Sequence, residues 1–215
     1  MEAQESLPHI RFFVDPACPW AWLTSRWITT LEEEGVITAT LSLFSLYDKN
    51  AEEPRQPGAE LPSDKALRIL VGAREEGGED GIRRMYTALG EAHHELDQPL
   101  QDINVLNECA SAAGFSDAFV EHCLSREETM TQVFADHNEA LLHGVFGVPS
   151  LLVEGHRAFF GPVLDARLDP GDARRLWHAI APLLVFPHFF EFKQERLGPP
   201  HVGKYEKRAT AIEAK

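Results

Sequence analysis

The sequence predicts an α/β protein in which one four-stranded sheet is split by an all-helical insertion. Three observations carry that prediction. The chain opens with a β-α-β pattern over residues 1–48. Residues 63–143 then keep helical periodicity throughout. From 145 to 198 the pattern returns to strand, strand and helix. A crossover between neighbouring strands needs little more than one helix, so roughly 80–90 residues of helix between the halves read as an inserted subdomain. The flanks, 1–48 and 145–198, then make one discontinuous domain. Residues 199–215 are a polar tail expected to be loose.

Residues 10–14 form the first strand and residues 19–34 the first helix. Pro19 suits the first helical position, where its missing N–H would have had no partner. Trp20, Leu23, Trp27 and Leu31 share one face, and Gly35 stands where a helix stops. Thr38 to Ser45 alternates as a second strand, and the crossover length fits parallel pairing. Residues 48–62 form a loop with Pro54, Pro57, Gly58 and Pro62. In the insertion, Ala66, Leu67, Leu70 and Val71 mark one helix and Ile82, Met85, Tyr86 and Leu89 the next. Ile103, Leu106 and Ala110 mark a third; Phe119, Val120 and Cys123 a fourth. Ser125-Arg126-Glu127-Glu128 has the form of a capping box opening a fifth, which Gly144 closes. Ser150–Glu154 and Arg157–Phe160 flank Gly155-His156, a two-residue hairpin signal. A last helix from about Gly171 carries Leu176, Ile180, Leu183 and Leu184, with Pro182 bending or ending it.

The composition narrows the partners. A formal charge of −14 on 215 residues repels phosphate backbones and anionic membranes, so no nucleic-acid or membrane partner is expected. No run of about 18 apolar residues is present, and the N-terminus lacks a secretory pattern, which points to a cytoplasmic protein. Three cysteines, Cys18, Cys109 and Cys123, are too few for a disulfide framework. In a reducing compartment any disulfide would be transient and catalytic. Oligomeric state is not legible.

The chemistry centres on Phe12-Phe13-Val14-Asp15-Pro16-Ala17-Cys18-Pro19-Trp20-Ala21-Trp22. Cys18 stands at the start of a helix, where backbone N–H groups and the helix dipole converge and favour a thiolate. Its pKa is expected to fall from about 8.5 into a range of roughly 5–7. Gly147-Val148-Pro149 enters the third strand opposite Cys18, where a proline leaves neighbouring backbone groups free for a substrate.

These residues resemble the DsbA-like branch of the thioredoxin superfamily, and within it the cytosolic mycothiol-dependent nitroreductases. Besides the Asp-Pro-x-Cys-Pro-Trp motif, the matching stretches are Met85–Gly90, His94–Asp97, Phe159–Leu164 and Pro187–Glu191. The resemblance implies a thioredoxin fold with a helical lid, a nucleophilic Cys18, and a cis Pro149 facing it. It also implies a small thiol, mycothiol, as cosubstrate, no tightly bound cofactor, and nitroaromatic compounds as substrates for some members. The active-site residues would be Cys18 with Pro19, Trp20 and Ala21; Val148, Pro149 and Trp22 would bind substrate. One departure matters: Ala21 stands where a Cys-x-x-Cys motif has its second cysteine. Without a thiol there Cys18 cannot store two electrons as a vicinal disulfide, so a monothiol mechanism with an incoming small thiol is expected.

Two other readings are open at this level. The kappa-class glutathione transferases share the inserted-helix architecture, but usually carry Ser at the position of Cys18. A non-catalytic binding module would leave Cys18 with an ordinary thiol pKa. Other candidates are weak. His93 and His94 are adjacent and point to different helix faces, so with Glu95 they make a poor metal site, and no metal is expected. His137 and His143 are not at same-face spacing. Cys109 and Cys123 read as packing residues of the insertion, as does Trp27 in the core. Thr24 and Ser25 lie inside the helix without a base.

Overall fold

The computed structural model of the chain describes residues 7–53, 55, 56, 59–196, 198–203 and 205. Strand β1 (His9–Val14) leads through a short turn into helix α1 (Pro19–Glu33), and β2 (Thr38–Leu43) returns parallel to β1. Near the far end of the chain, β3 (Ser150–Val153) pairs antiparallel with β1, and β4 (Phe159–Phe160) with β3. The sheet order is β2-β1-β3-β4. This is the thioredoxin-like arrangement, with the helices between β2 and β3 making it DsbA-like.

The pattern of β1 explains its central place. Ile10, Phe12, Phe13 and Val14 are all buried, as a strand covered on both faces requires. Helix α1 lies on the sheet with Leu23, Trp27, Ile28 and Leu31 inward. It is held from behind by α7 (Pro170–Leu184), where Trp27 Nε1 donates to Ala173 O at 3.0 Å and faces the Trp177 ring.

The intervening segment is helical among its described residues: α2 (Leu46–Asn50), α3 (Asp64–Gly90), a π-helical turn (Glu91–Glu95), α4 (Ile103–Ala112), α5 (Phe119–Ser125) and α6 (Glu127–Leu142). Short α2 occupies the start of the expected 48–62 loop; Pro54, Pro57 and Gly58 lie outside the described residues. The first two helices expected in the insertion are one run, α3, broken at Gly78, whose φ of 61° is open to glycine. The capping box at Ser125 does not form. Ser125 ends α5 and donates to His122 O, while Thr129 and Arg68 satisfy the Arg126 carbonyl instead.

Two further expectations change. The β3–β4 connection is longer than two residues, because the Ala158 N–H bonds to His143 O and leaves β4 only two residues long. The tail after 198 is not loose in its described part. Val202 is buried, and the His201 N–H reaches Asp165 O. Residues 204 and 206–215 lie outside the described residues.

Candidate active site

Everything around Cys18 is set by the turn that joins β1 to α1. Asp15 closes that turn twice: its carbonyl accepts the Cys18 N–H at 3.0 Å, and Oδ1 accepts the Ala17 N–H at 2.8 Å, an Asx turn. Its other oxygen accepts from the Leu46 N–H at 2.8 Å and from Ser63 Oγ at 3.4 Å. One buried carboxylate therefore ties the turn to the starts of α2 and α3. From the far side the buried His94 donates from Nε2 to Pro16 O at 2.9 Å. Sequence reasoning quoted Asp15 and His94 but gave neither this role. An Asp two residues before an alanine N–H was the visible signal for the first; the second depends on tertiary packing alone.

Cys18 is the N-cap of α1, and its Sγ accepts the Ala21 N–H at 3.4 Å. On its other side Sγ donates to Val148 O at 3.6 Å. The Val148–Pro149 peptide is cis, and Val148 and Gly147 line the same cleft as the sulfur. The cleft has a volume of about 260 Å³. Trp20, Phe146 and Phe160 give it aromatic walls, and Asn50 and Arg196 give it polar groups. Phe146 and Phe160 stack on each other at 5.2 Å.

The acidity of Cys18 differs from the expected 5–7. Burial pushes the thiol up to about 11. The Ala21 N–H opposes that rise, the Asp15 charge adds to it, and the Trp20 N–H and Arg196 oppose it. The balance follows from magnitudes: a helix N-terminus offers at most about 2 kcal/mol, whereas burial can move a pKa by about 3–5 units. With Cys18 only 5% exposed, burial wins. Asp15, wholly buried, is itself raised to about 6 by desolvation, against the Leu46 and Ala17 N–H donors.

The other residues singled out from sequence divide into those at the cleft and those away from it. Trp20 lines the cleft, but Trp22 does not. Trp22 is fully buried, with Nε1 donating to Glu95 at 3.2 Å and Arg26 stacked over its ring. The ring packs so closely on Gly90 that a Cβ there would lie 2.2 Å from it. Trp22 thus locks α1 to the insertion, and its assignment as a substrate contact is corrected. Ala21 is buried and contributes its N–H rather than its side chain. Cys109 donates to Ala88 O, and Cys123 packs on Gly72. His137 is buried against Phe44 and accepts the Ser45 N–H. His93 bonds Gln98 O, and among the described residues no group of His, Cys, Asp and Glu is arranged for a metal.

A cysteine thus stands at a helix start, bonded to the carbonyl before a cis proline and opening on a small cleft. Sequence comparison decides the family. The profile described as "Mycothiol-dependent nitroreductase Rv2466c" matches residues 17–194. The chain belongs to the Rv2466c-like family. Membership places it among thiol-dependent oxidoreductases, the family that the Cys-Pro-Trp motif and its accompanying stretches resemble. The uncharacterised protein Rv2286c of Mycobacterium tuberculosis is 28% identical over 190 residues, covering 87% of this chain and 82% of that protein. Among solved structures, a putative protein disulfide isomerase from Nitrosomonas europaea is similar with a TM-score of 0.59 at 16% identity. That match covers 83% of this chain and 99% of the other. The cytosolic disulfide reductase DsbM from Pseudomonas aeruginosa, solved with GSH, gives a TM-score of 0.57 at 16% identity, covering 81% and 99%. At such identities the likeness is one of fold.

Proposed function

We propose that this Rv2466c-like protein is a cytoplasmic monothiol oxidoreductase. Through Cys18 it uses a low-molecular-weight thiol of the mycothiol kind to reduce small disulfides or electrophiles, nitroaromatics among them. The observation that carries the reading is the pairing of a cleft-lining N-cap thiol, Cys18, with a methyl group, Ala21, at the position of a resolving thiol.

The resting sulfur holds its proton and donates it to Val148 O. Deprotonation precedes attack, and the Ala21 and Trp20 N–H groups are placed to hold the resulting anion. Cys18 then attacks one sulfur of a disulfide, forming a mixed disulfide and expelling the other half as a thiolate that takes up a proton. With no neighbouring thiol, the mixed disulfide persists until an external thiol attacks it and restores Cys18. Gly147 and Val148, held by the cis peptide to Pro149, line the approach to the sulfur, and Trp20, Phe146 and Phe160 offer faces on which an aromatic substrate can stack. A small thiol also accords with the fold neighbour solved with GSH. Among the described residues no helix is long and apolar enough to cross a membrane, and the charge of −14 disfavours nucleic acid.

Incubation with mycothiol disulfide, followed by intact-mass and peptide analysis, tests this. One mycothiol should be found on Cys18, removable by free mycothiol, and Cys18→Ser should carry none. Nitroaromatic consumption should require added mycothiol. Absence of any adduct on Cys18 would overturn the reading.

A further inference from the structure

The cleft contains one feature that thiol exchange itself does not require. Arg196 is the charged side chain among the residues lining it. Its guanidinium lies 4.8 Å over the ring of Trp20, two residues along from the reactive sulfur. Most described arginines of this acidic chain pair with carboxylates, among them Arg11 with Glu139, Arg55 with Asp48 and Asp64, and Arg167 with Glu95. Among the described residues Arg196 has no carboxylate or hydrogen-bond acceptor. What sets Arg196 apart is its place: an exposed guanidinium without a carboxylate at a cleft whose other lining residues carry no formal charge apart from the Cys18 thiol.

We propose that Arg196 is the specificity residue of the cleft and binds a carboxylate on the small disulfide substrate that reacts with Cys18. The inference rests on the reading of Cys18 as an exchange centre and adds the chemical class of what it exchanges with. Stacking on Trp20 uses the face of the guanidinium and leaves its edge, a planar fork of N–H donors, free for a bidentate carboxylate. Leu46, Phe146, Phe160 and Val163 give the cleft apolar walls beside the exposed guanidinium. The same charge also opposes the rise in the Cys18 pKa caused by burial. Arg196 lies two residues beyond the end of the family match at residue 194. The exchange step is balanced. The Cys18 thiolate forms an S–S bond to one half of the disulfide, the original S–S bond breaks, and the departing thiolate is protonated by solvent.

The test compares 3,3′-dithiodipropionate with its neutral diamide on the full chain, following the rate of adduct formation on Cys18 by mass spectrometry. The overall charge of −14 works against the anion, so any preference for it must be local. Wild type should favour the dicarboxylate about tenfold, in keeping with one charge-assisted pair. Arg196→Gln should abolish that preference, read as the ratio of the two rates, since loss of the charge acts on both reagents through the sulfur but on recognition only for the anion. Arg196→Lys should keep part of it. Equal rates for the two reagents in wild type, or an unchanged ratio in Arg196→Gln, overturn the proposal. Binding without chemistry is read separately, from tryptophan emission titrated with 3-(methylthio)propionate and its amide. If neither disulfide modifies Cys18 while the carboxylate alone binds, and Arg196→Gln loses that binding, the exchange reading fails and the carboxylate subsite stands. If the carboxylate does not bind in preference to the amide either, both fail.

Discussion

Cys18 and the two thiols of the insertion, Cys109 and Cys123, make an instructive comparison, because burial lifts all three to about 11. By acidity alone they are indistinguishable. Their surroundings separate them. Cys109 is tied to the Ala88 carbonyl between helices, and Cys123 fills the space that Gly72 leaves in the α3–α5 contact. Neither lines the cleft. Cys18 faces N–H donors on one side and a cleft on the other. The difference teaches that resting acidity does not distinguish these thiols. Access and the donors waiting for the anion do, and both come from the position of Cys18 at the start of α1.

The largest effect should come from giving Cys18 a neighbour. Ala21→Cys places a second thiol one turn along α1, and mild oxidation should then yield an internal disulfide, seen as a loss of 2 hydrogens in intact mass. Wild type should give external adducts only, never a bond to Cys109 or Cys123. An internal Cys18 disulfide in wild type would break the comparison.

Next in size is the contrast between the two tryptophans beside Cys18. Trp22→Ala removes a fully buried ring between α1 and the insertion and should cost about 3–5 kcal/mol of unfolding free energy by denaturant titration. Trp20→Ala, at a half-buried cleft position, should cost much less stability and mainly slow adduct formation on Cys18. Equal losses of stability would return Trp22 to the cleft.

The smallest concerns Asp15, which acts on Cys18 and not on the other two thiols. Its folded pKa of about 6 stands above the ordinary 3.8, so the folded chain binds more protons than the unfolded chain in between. The favourable contribution of this group is complete below its ordinary pKa and is lost as pH rises to about 6. Relative to Asp15→Asn, wild type should therefore lose about 3 kcal/mol of stability between pH 3.5 and 7. The same substitution should move the alkylation–pH curve of Cys18 to lower pH and leave those of Cys109 and Cys123 in place. A parallel shift of all three would show that Asp15 acts through stability alone.

Read along the chain, hydrophobic periodicity determined the split sheet, the helical insertion and the position of Cys18, because those properties repeat locally every two or three to four residues. The family was legible for a similar reason: Asp15 to Trp22 is a continuous stretch, and the methyl group of Ala21 in place of a second thiol is read directly from it. Contacts between distant segments were not legible. That Trp22 faces Gly90 and Glu95 rather than the cleft, that His94 holds the carbonyl of Pro16, and that Arg196 lies over Trp20 all require the insertion and the C-terminal segment to fold back onto α1. The pKa of Cys18 belongs with them. The helix start that should lower it is local, but the burial that raises it is assembled from β1, α1 and the Val148 segment together, and desolvation outweighs what one turn of helix supplies.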